Sequence, residues 1–434
     1  MQYQSDDLQL LDDCVVDRFG PIRLDDLPDP QPICPARLGP ATPMMQRLWK
    51  IALADIESNI ATAEDGRQYF GAGTTFGPTV FTRDISYAGL LGLNRLYPEL
   101  MRSSLEYSRQ VRRRIGLKIA AGYESDDWPG QGWTPTGLPH RQFKLANGSN
   151  GYLRRTDDVV WIACAGDLLG LEAGQEDYRW MYETGCEFFQ RFYDRFLDET
   201  SGLYRGQASF VDVHFPAHKA TGYPQEFSIA DCVLVRATST NCLYVWGMAM
   251  LSRAARELGL KQAAAEWSAR AEKLRQAMHA LLRREDGTFE YFLDRHGNPA
   301  GRRDALGSAL AVLAGVVLGV DAMEVVGDYP ISDIGAPLFE PFYSRDDFYH
   351  NNTSWPYVDT LLLWARQRAT GRDDELPRNA ALLARTVRNG GTFHEVVDYR
   401  TGQVRGSGSQ LWSAAGFVNV CLRAGLVEGQ AKLI

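Results

Sequence analysis

The 434-residue chain lacks most of the signatures that would assign it quickly, and each absence narrows the field. Its seven cysteines (Cys14, Cys34, Cys164, Cys186, Cys232, Cys242, Cys421) are odd in number, scattered and never spaced as CxxC. That argues against a zinc knuckle and predicts reduced thiols instead of a disulfide frame. HExxH, the GxSxG elbow, the GxxxxGK[ST] loop and a GxGxxG after a strand are all missing, so the expectation is chemistry carried by side chains, with no metal and no cofactor. The longest apolar run, Ala309 to Val320, is too short and too interrupted by glycine to cross a bilayer. The start, MQYQSDDLQLLDDC, shows no basic region followed by an apolar one, so the expectation is a cytoplasmic protein without a secretory signal. A net charge of −8 argues against nucleic acid or an anionic membrane as partner and leaves a small uncharged or acidic substrate. Nothing in the pattern speaks to oligomeric state.

What is present is mostly helical. Residues 20–43, rich in Pro and Asp, predict extended or turn conformations, and residues 1–42 are read as an irregular N-terminal arm packed on the rest, 43–434. From Pro43 apolar residues recur at three- and four-residue spacing, predicting eleven helices at 43–62, 85–97, 99–115, 156–171, 176–197, 239–257, 260–284, 304–318, 354–369, 375–387 and 409–425, with room for one more. Several come as pairs with short connections, hence antiparallel neighbours. TFEYFL, between Asp286–Gly287 and Asp294, reads as a short hairpin. Helix pairs of this number can stack as a solenoid, pile as a bundle or close into a double ring of inner and outer helices. No sequence repeat supports a solenoid. The loops favour the ring, an all-α (α/α)6 barrel, because its connections converge on one face.

Those loops share a composition. YFGAGTTFGPTVFTRD (69–84), ESDDWPGQGWTPTGLPHRQ (124–142), NGSNGYLRRTDD (147–158), GLYRGQASFVDVHFPAH (202–218), DDFYHNNTSWPY (346–357) and GGTFHEVVDYRTGQVRGSGSQLWS (390–413) mix aromatics with carboxylates and amides. Flat rings cover the C–H faces of a pyranose, and planar polar groups take its paired hydroxyls. An aromatic-rich loop by itself more often just caps a core; six together point to a sugar site.

Glycoside hydrolysis needs two carboxyls, one protonated and one ionised. Asp212, in SFVDVHF, has apolar neighbours that favour its protonated form, though the segment equally fits a turn Asp. Glu395, between Phe393–His394 and Val396–Val397, is the counterpart, with Glu226 and Asp398 as rivals. Asp157 and Asp158 fit a helix N-terminus as caps or as ligand groups. His214 and His218 are four apart, but Pro216 between them disfavours a helical metal pair.

GLYRGQASFVD, ATSTNCLYVWGMAMLSRAARELG, YHNNTSWPYVDTLLLWA and TFHEVVDYRTGQVRGSGSQLWSAAGF, in this order, resemble the bacterial six-hairpin glycosidases. The resemblance is to the trehalase, processing alpha-glucosidase and mannosylglycerate hydrolase group (glycoside hydrolase families 37 and 63), and runs from about residue 65 to 425. It implies an (α/α)6 barrel and inversion at an alpha-glycosidic carbon, with Asp212 as general acid and Glu395 as the base that activates water. It further implies sugar contacts at Arg83–Asp84, Asp157–Asp158, His350, Asn351, Trp355, Gln410 and Trp412; Trp128, His214 and Glu226 join them as substrate-binding candidates. Two departures stand out: Val213–His214 follows the acid where the group often has Trp, and Arg83 precedes the early Asp where a Trp is usual. The expectation is therefore an inverting hydrolase that releases a terminal alpha-linked, glucose-like sugar from a small saccharide or glycoside. A glycoside phosphorylase, a sugar epimerase using His350 or His394, and a non-catalytic carbohydrate-binding barrel are the alternatives.

Overall fold

In the computed structural model, residues 1–78, 80–120, 142–144, 150–152, 157–170, 173–212, 221–227 and 229–429 are described. Trp128, His214 and His218 lie outside them, and so do the side chains of Asp157 and Asp158. Among the described residues there are twelve helices of seven residues or more: α1 Pro43–Ser58, α2 Thr82–Ala88, α3 Pro98–Ala120, α4 Asp157–Leu169, α5 Gln175–Phe188, α6 Thr238–Glu257, α7 Lys261–Leu281, α8 Ala305–Leu313, α9 Gly319–Gly327, α10 Pro356–Thr370, α11 Leu376–Ala384 and α12 Leu411–Arg423.

The even-numbered helices pack on one another in a closed circuit, α2 on α4, α4 on α6, α6 on α8, α8 on α10, α10 on α12 and α12 back on α2. The odd-numbered helices lie against these: α3 on α2 and α4, α5 on α4 and α6, α7 on α6, α9 on α8 and α10, α11 on α10 and α12, and α1 on α12. Composition explains the division. Every residue of α2 and α12 is buried, as is every residue of α8, whereas α7 buries only a stripe, Ala264, Trp267, Ala271, Leu274 and Met278. A helix apolar all round belongs inside, and an amphipathic one faces water.

Local sequence sets the helix starts. Pro43 opens α1, where its missing N–H costs nothing, and Thr42 Oγ1 accepts from Met45 N at 3.3 Å. Asp304 caps α8 by accepting from Gly307 N at 2.8 Å. Beyond Ala88 the chain continues as a π turn, Gly89–Leu93, in which Gly92 has φ 136°. A Cβ there would stand 2.8 Å from Leu422 Cδ1, so glycine lets this turn lie directly on α12. The helix predicted at 85–97 thus starts earlier and is interrupted, and Pro98 opens α3.

Three further differences follow from physics that periodicity does not carry. The predicted irregular arm begins with a four-stranded antiparallel meander, β1 Tyr3–Gln4, β2 Leu8–Leu10, β3 Cys14–Asp17 and β4 Gly20–Arg23, whose inner residues Leu8, Leu10, Val15 and Ile22 are buried; the sheet packs on α11. Helix α9, not predicted, spans nine residues that begin and end with glycine, a poor helix former that breaks the helical signal. The TFEYFL segment turns back at both ends, with antiparallel bridges Arg283↔Phe289 and Leu293↔Pro299, and in addition pairs Phe292–Leu293 with the distant Arg236–Ala237. A third sheet positions the site: β5 Thr353–Ser354, β6 Val396–Asp398 and β7 Val404–Arg405, antiparallel throughout. The seven cysteines are free thiols, and among the described residues no helix is long and apolar enough to cross a membrane.

The Asp304 cap is buried, so its loss should be felt. Asp304→Ala is expected to lower the free energy of unfolding by about 1–2 kcal/mol in a urea titration, with Asp304→Ser recovering most of it. An unchanged midpoint in the alanine variant would show that the cap does not contribute.

Candidate active site

The site gathers where the inner helices α2, α10 and α12 begin. The loop ending in Asp212 is pinned from several sides: Ala208 N donates to Tyr223 OH at 3.0 Å, Ser209 N to Ser239 Oγ at 3.1 Å, and Tyr223 OH to Val211 O at 3.2 Å. Tyr87 on α2 bonds Ser209 Oγ at 2.8 Å. The Phe210 ring lies edge-on among His350, Trp355 and Tyr357, with centroids 5.1–5.5 Å away.

The Glu395 segment is held by α1 and by β5. Asp55 accepts from Phe393 N at 2.7 Å and Ser409 Oγ at 2.8 Å, and Asn59 Nδ2 donates to Ser409 O at 2.7 Å. The rungs Thr353↔Asp398 and Ser354↔Val397 carry the 346–355 loop to the same place. Tyr349 OH then donates to Glu395 Oε1 at 3.1 Å, and Ser407 N to Oε2 at 3.2 Å. Gly406, at φ 81°, lets the hairpin pass this close: a Cβ there would fall 2.5 Å from Glu395 Oε2.

Asp212 and Glu395 are brought within electrostatic reach of each other and of Arg83. Arg83 Nη1 stands 3.3 Å from Asp212 Oδ1, and its Nε 3.6 Å from Asp84 Oδ2. Both Arg83 and Asp84 are buried, at 6% and 4% exposure, and Asp84 does not cap α2, whose N-cap is Phe81. Glu395 is pushed up to about 7, chiefly because burial removes the water that would stabilise its charge. The hydrogen bonds from Ser407 and Tyr349 oppose this, the Asp212 carboxylate adds to it, and Arg83 opposes it. Among the described residues, the four non-glycine residues at positive φ are Phe210 (57°), Tyr349 (113°), Asn352 (56°) and Ser409 (43°), each in a loop that carries the site. Backbone strain of this kind concentrates at functional positions.

The other sequence candidates divide. His350 is at the centre: its Nε2 accepts from Asp212 N at 3.4 Å and its Nδ1 faces Thr221 Oγ1 at 3.2 Å, so both ring nitrogens are engaged. Trp355 stacks on His350 with centroids 5.6 Å apart and donates Nε1 to Tyr349 O at 3.0 Å. Gln410 and Trp412 are buried at the start of α12, where Trp412 stacks on Tyr357 at 4.2 Å, and among the described residues the Gln410 amide and Trp412 Nε1 have no hydrogen-bond partner. Asn351 spends its amide on its own loop, with Tyr343 and Asp347. Glu226 is exposed in a turn. The rival Asp398 serves the β6–β7 turn, accepting from Arg400 N and Thr401 N at 3.0 Å each. Tyr349 and Asp55 were not singled out from the sequence. Only the position of Tyr349 beside His350 in an aromatic-rich loop hinted at the first, and nothing local marked the second.

The helical architecture, with a buried Glu395 near a partly buried Asp212, has the general form of a glycosidase-like protein. Residues 205–413 match the family described as the mannosylglycerate hydrolase MGH1-like glycoside hydrolase domain, a stretch that contains Asp212, His350 and Glu395. No curated protein matches the chain by sequence. Among solved structures, the GH63 mannosylglycerate hydrolase from Thermus thermophilus, in complex with glucose, is similar at TM-score 0.59 and 17% identity, covering 86% of this chain and 99% of that one. The metal-independent alpha mannosidase from Streptococcus pneumoniae, with alpha-1,6-mannobiose, is similar at TM-score 0.58 and 14% identity over 88% of this chain and 93% of its own. The GH78 rhamnosidase of Bacillus sp. GL1 matches at TM-score 0.58 and 14% identity over 91% of this chain, which spans 36% of the rhamnosidase. The resemblance to the six-hairpin glycosidases read from the sequence therefore stands.

Gly406→Ala is expected to displace the Glu395 carboxyl and reduce glycosidase kcat/KM about 100-fold with the circular dichroism spectrum unchanged, because misplacement of a reacting group by an ångström costs on that scale. Wild-type turnover in this variant would show that the Glu395 position does not matter.

Proposed function

We propose that this chain is an inverting alpha-glycosidase, an (α/α)6 barrel over residues 43–434 with residues 1–42 as an arm packed on it. It releases a terminal alpha-linked, glucose-like sugar from a small saccharide or glycoside. The observation that carries the reading is the pair itself: a buried Glu395 raised to about 7, near Asp212 and joined to it through the charge of Arg83.

In this mechanism the pair holds one proton, on Glu395 in the resting site and on Asp212 once substrate is bound; Asp212 gives it to the leaving oxygen, and the guanidinium of Arg83 stabilises the carboxylate that results. Glu395 takes the proton of a water molecule on the opposite face of the sugar, and that water attacks the anomeric carbon as the glycosidic bond breaks. Water is divided between the products, and one net proton passes from Glu395 to Asp212 through solvent before the next cycle. Tyr349 and Ser407 each occupy one lone pair of Glu395, leaving two of about four for the water. Such a reaction calls for carboxyls about 6.5–9.5 Å apart in the substrate complex. Asp84, Gln410 and Trp412 are the groups proposed to meet sugar hydroxyls, together with Trp128, Asp157, Asp158 and His214. The engaged ring nitrogens of His350 speak against its use in an epimerase, and the buried base speaks against a phosphorylase, which needs none.

The roles are separable by leaving group. Asp212→Asn should retain much of the wild-type rate on a sugar fluoride, which needs no proton, while losing at least about 1000-fold on an alkyl glycoside. Glu395→Gln should lose both alike, and NMR of the wild-type reaction should show beta product from alpha substrate. The reverse pattern would exchange the two roles, and alpha product would exclude inversion. Since the reaction needs the one proton that the pair holds up to about pH 7, kcat/KM should fall about tenfold per pH unit above pH 7, where that proton is lost. A profile flat up to pH 9 would remove Glu395 from this role.

A further inference from the structure

A cavity of about 350 Å³ lies between the N-terminal sheet and helix α11, and none of the residues that line it belongs to the candidate active site. It is roughly ten times the share of liquid volume that a water occupies, about 30 Å³. One wall is the turn after β3 with Arg18 and Phe19, another is the segment Ser332 to Ile334, and the third carries Arg378 and Arg385 at the two ends of α11. Arg385 is 4% exposed. Its Nη1 donates to Asp333 O at 2.7 Å, while Nε and Nη2 have no hydrogen-bond partner. Arg378 repeats the pattern: Nη2 reaches Ile331 O at 2.5 Å and Nε is unpartnered.

The carboxylates in the walls do not meet this need. Asp17 is taken by Arg388, at 2.5 and 3.2 Å, and by Phe19 N at 2.8 Å. Asp333 accepts from Tyr3 OH at 3.2 Å and Ser5 Oγ at 2.7 Å, and Asp7 is exposed at the rim. The cavity therefore combines satisfied acceptors with unsatisfied donors. The Nε–Nη2 edge of a guanidinium is its parallel fork, the one that fits two oxygens of a carboxylate or phosphate. The carboxylates of Asp17, Asp359 and Asp333 act on Arg385 only through space, and among the described residues none bonds its Nε–Nη2 edge. Burial has already drawn Arg385 down to about 10, which leaves it charged near neutral pH.

We propose that this cavity is a binding site for a small oxyanion, a phosphate or carboxylate group, gripped by the Nε–Nη2 edge of Arg385 with Arg378 beside it. Because its walls come from the N-terminal sheet, the segment Ser332 to Ile334, α11 and Gly402 of the β6–β7 turn, the bound anion ties the N-terminal sheet to α11. Binding to the folded state alone raises the melting temperature by mass action.

The test is thermal unfolding of the full chain, titrated with inorganic phosphate and separately with acetate, with sodium chloride holding ionic strength constant. A saturable rise in Tm with at least one oxyanion is expected; the stronger response distinguishes a phosphate from a carboxylate ligand. Arg385→Gln should weaken the apparent affinity at least tenfold and Arg378→Gln several-fold, while Asp212→Asn keeps the full response. Should Arg385→Gln fail to fold, Ile334→Glu decides: a carboxylate built into the wall should raise Tm without added anion and abolish the phosphate and acetate responses. No saturable rise in the wild type, or an unchanged response in Arg385→Gln or in a folded Ile334→Glu, would overturn the proposal.

Discussion

Two rungs of antiparallel sheet, Thr353 opposite Asp398 and Ser354 opposite Val397, hold the candidate site together. One strand ends the loop that carries Tyr349 and His350, and the other follows Glu395 directly. Their pairing places a phenol on one carboxylate oxygen and shuts water away from that carboxyl, which raises its proton affinity. Asp55 on α1 closes the other side by taking the Phe393 amide. Glu395 is thus positioned by three elements far apart in sequence, none of which carries a mark of this task in its own composition.

The ring of helices has a different duty. Its inner members start beside the site, so that α2 presents Arg83 and Asp84, α10 begins at Trp355–Pro356 and α12 begins at Gln410. The loops that reach the site have strained backbones, with Phe210, Tyr349, Asn352 and Ser409 at positive φ. The cost of each is met by the packed rings and hydrogen bonds around it. Rigid helices and strained loops divide the labour in this way: the first fix where the loops start, the second aim the side chains.

Arg83 is the residue that most separates this site from what the resemblance implied. Where a Trp is usual in the group, a guanidinium here bridges Asp84 and Asp212. That substitution replaces a flat apolar surface with a charge between two carboxylates, and it couples the candidate sugar-gripping residue to the candidate acid.

Much of the fold was legible in the chain. Apolar spacing and run length located eleven of the helices, because an outer helix that buries a stripe repeats at helical period and an inner one that buries every face reads as an apolar run too long for a strand. It missed α9, which begins and ends with glycine, and the β-meander at the start, whose strands of two to four residues are shorter than any periodic signal. The chemistry was legible as residue type: Asp212 and Glu395 are carboxyls set among apolar neighbours, a local property. Asn351 and Asp398, equally suggestive by type, are spent on bracing their own loops. Sequence by itself determined which residues could donate or accept a proton. Only the tertiary structure decided which of them were stripped of water and given a partner, because desolvation and ion pairing depend on segments hundreds of residues away, as Arg83 does for Asp212 and Asp55 for the Glu395 loop.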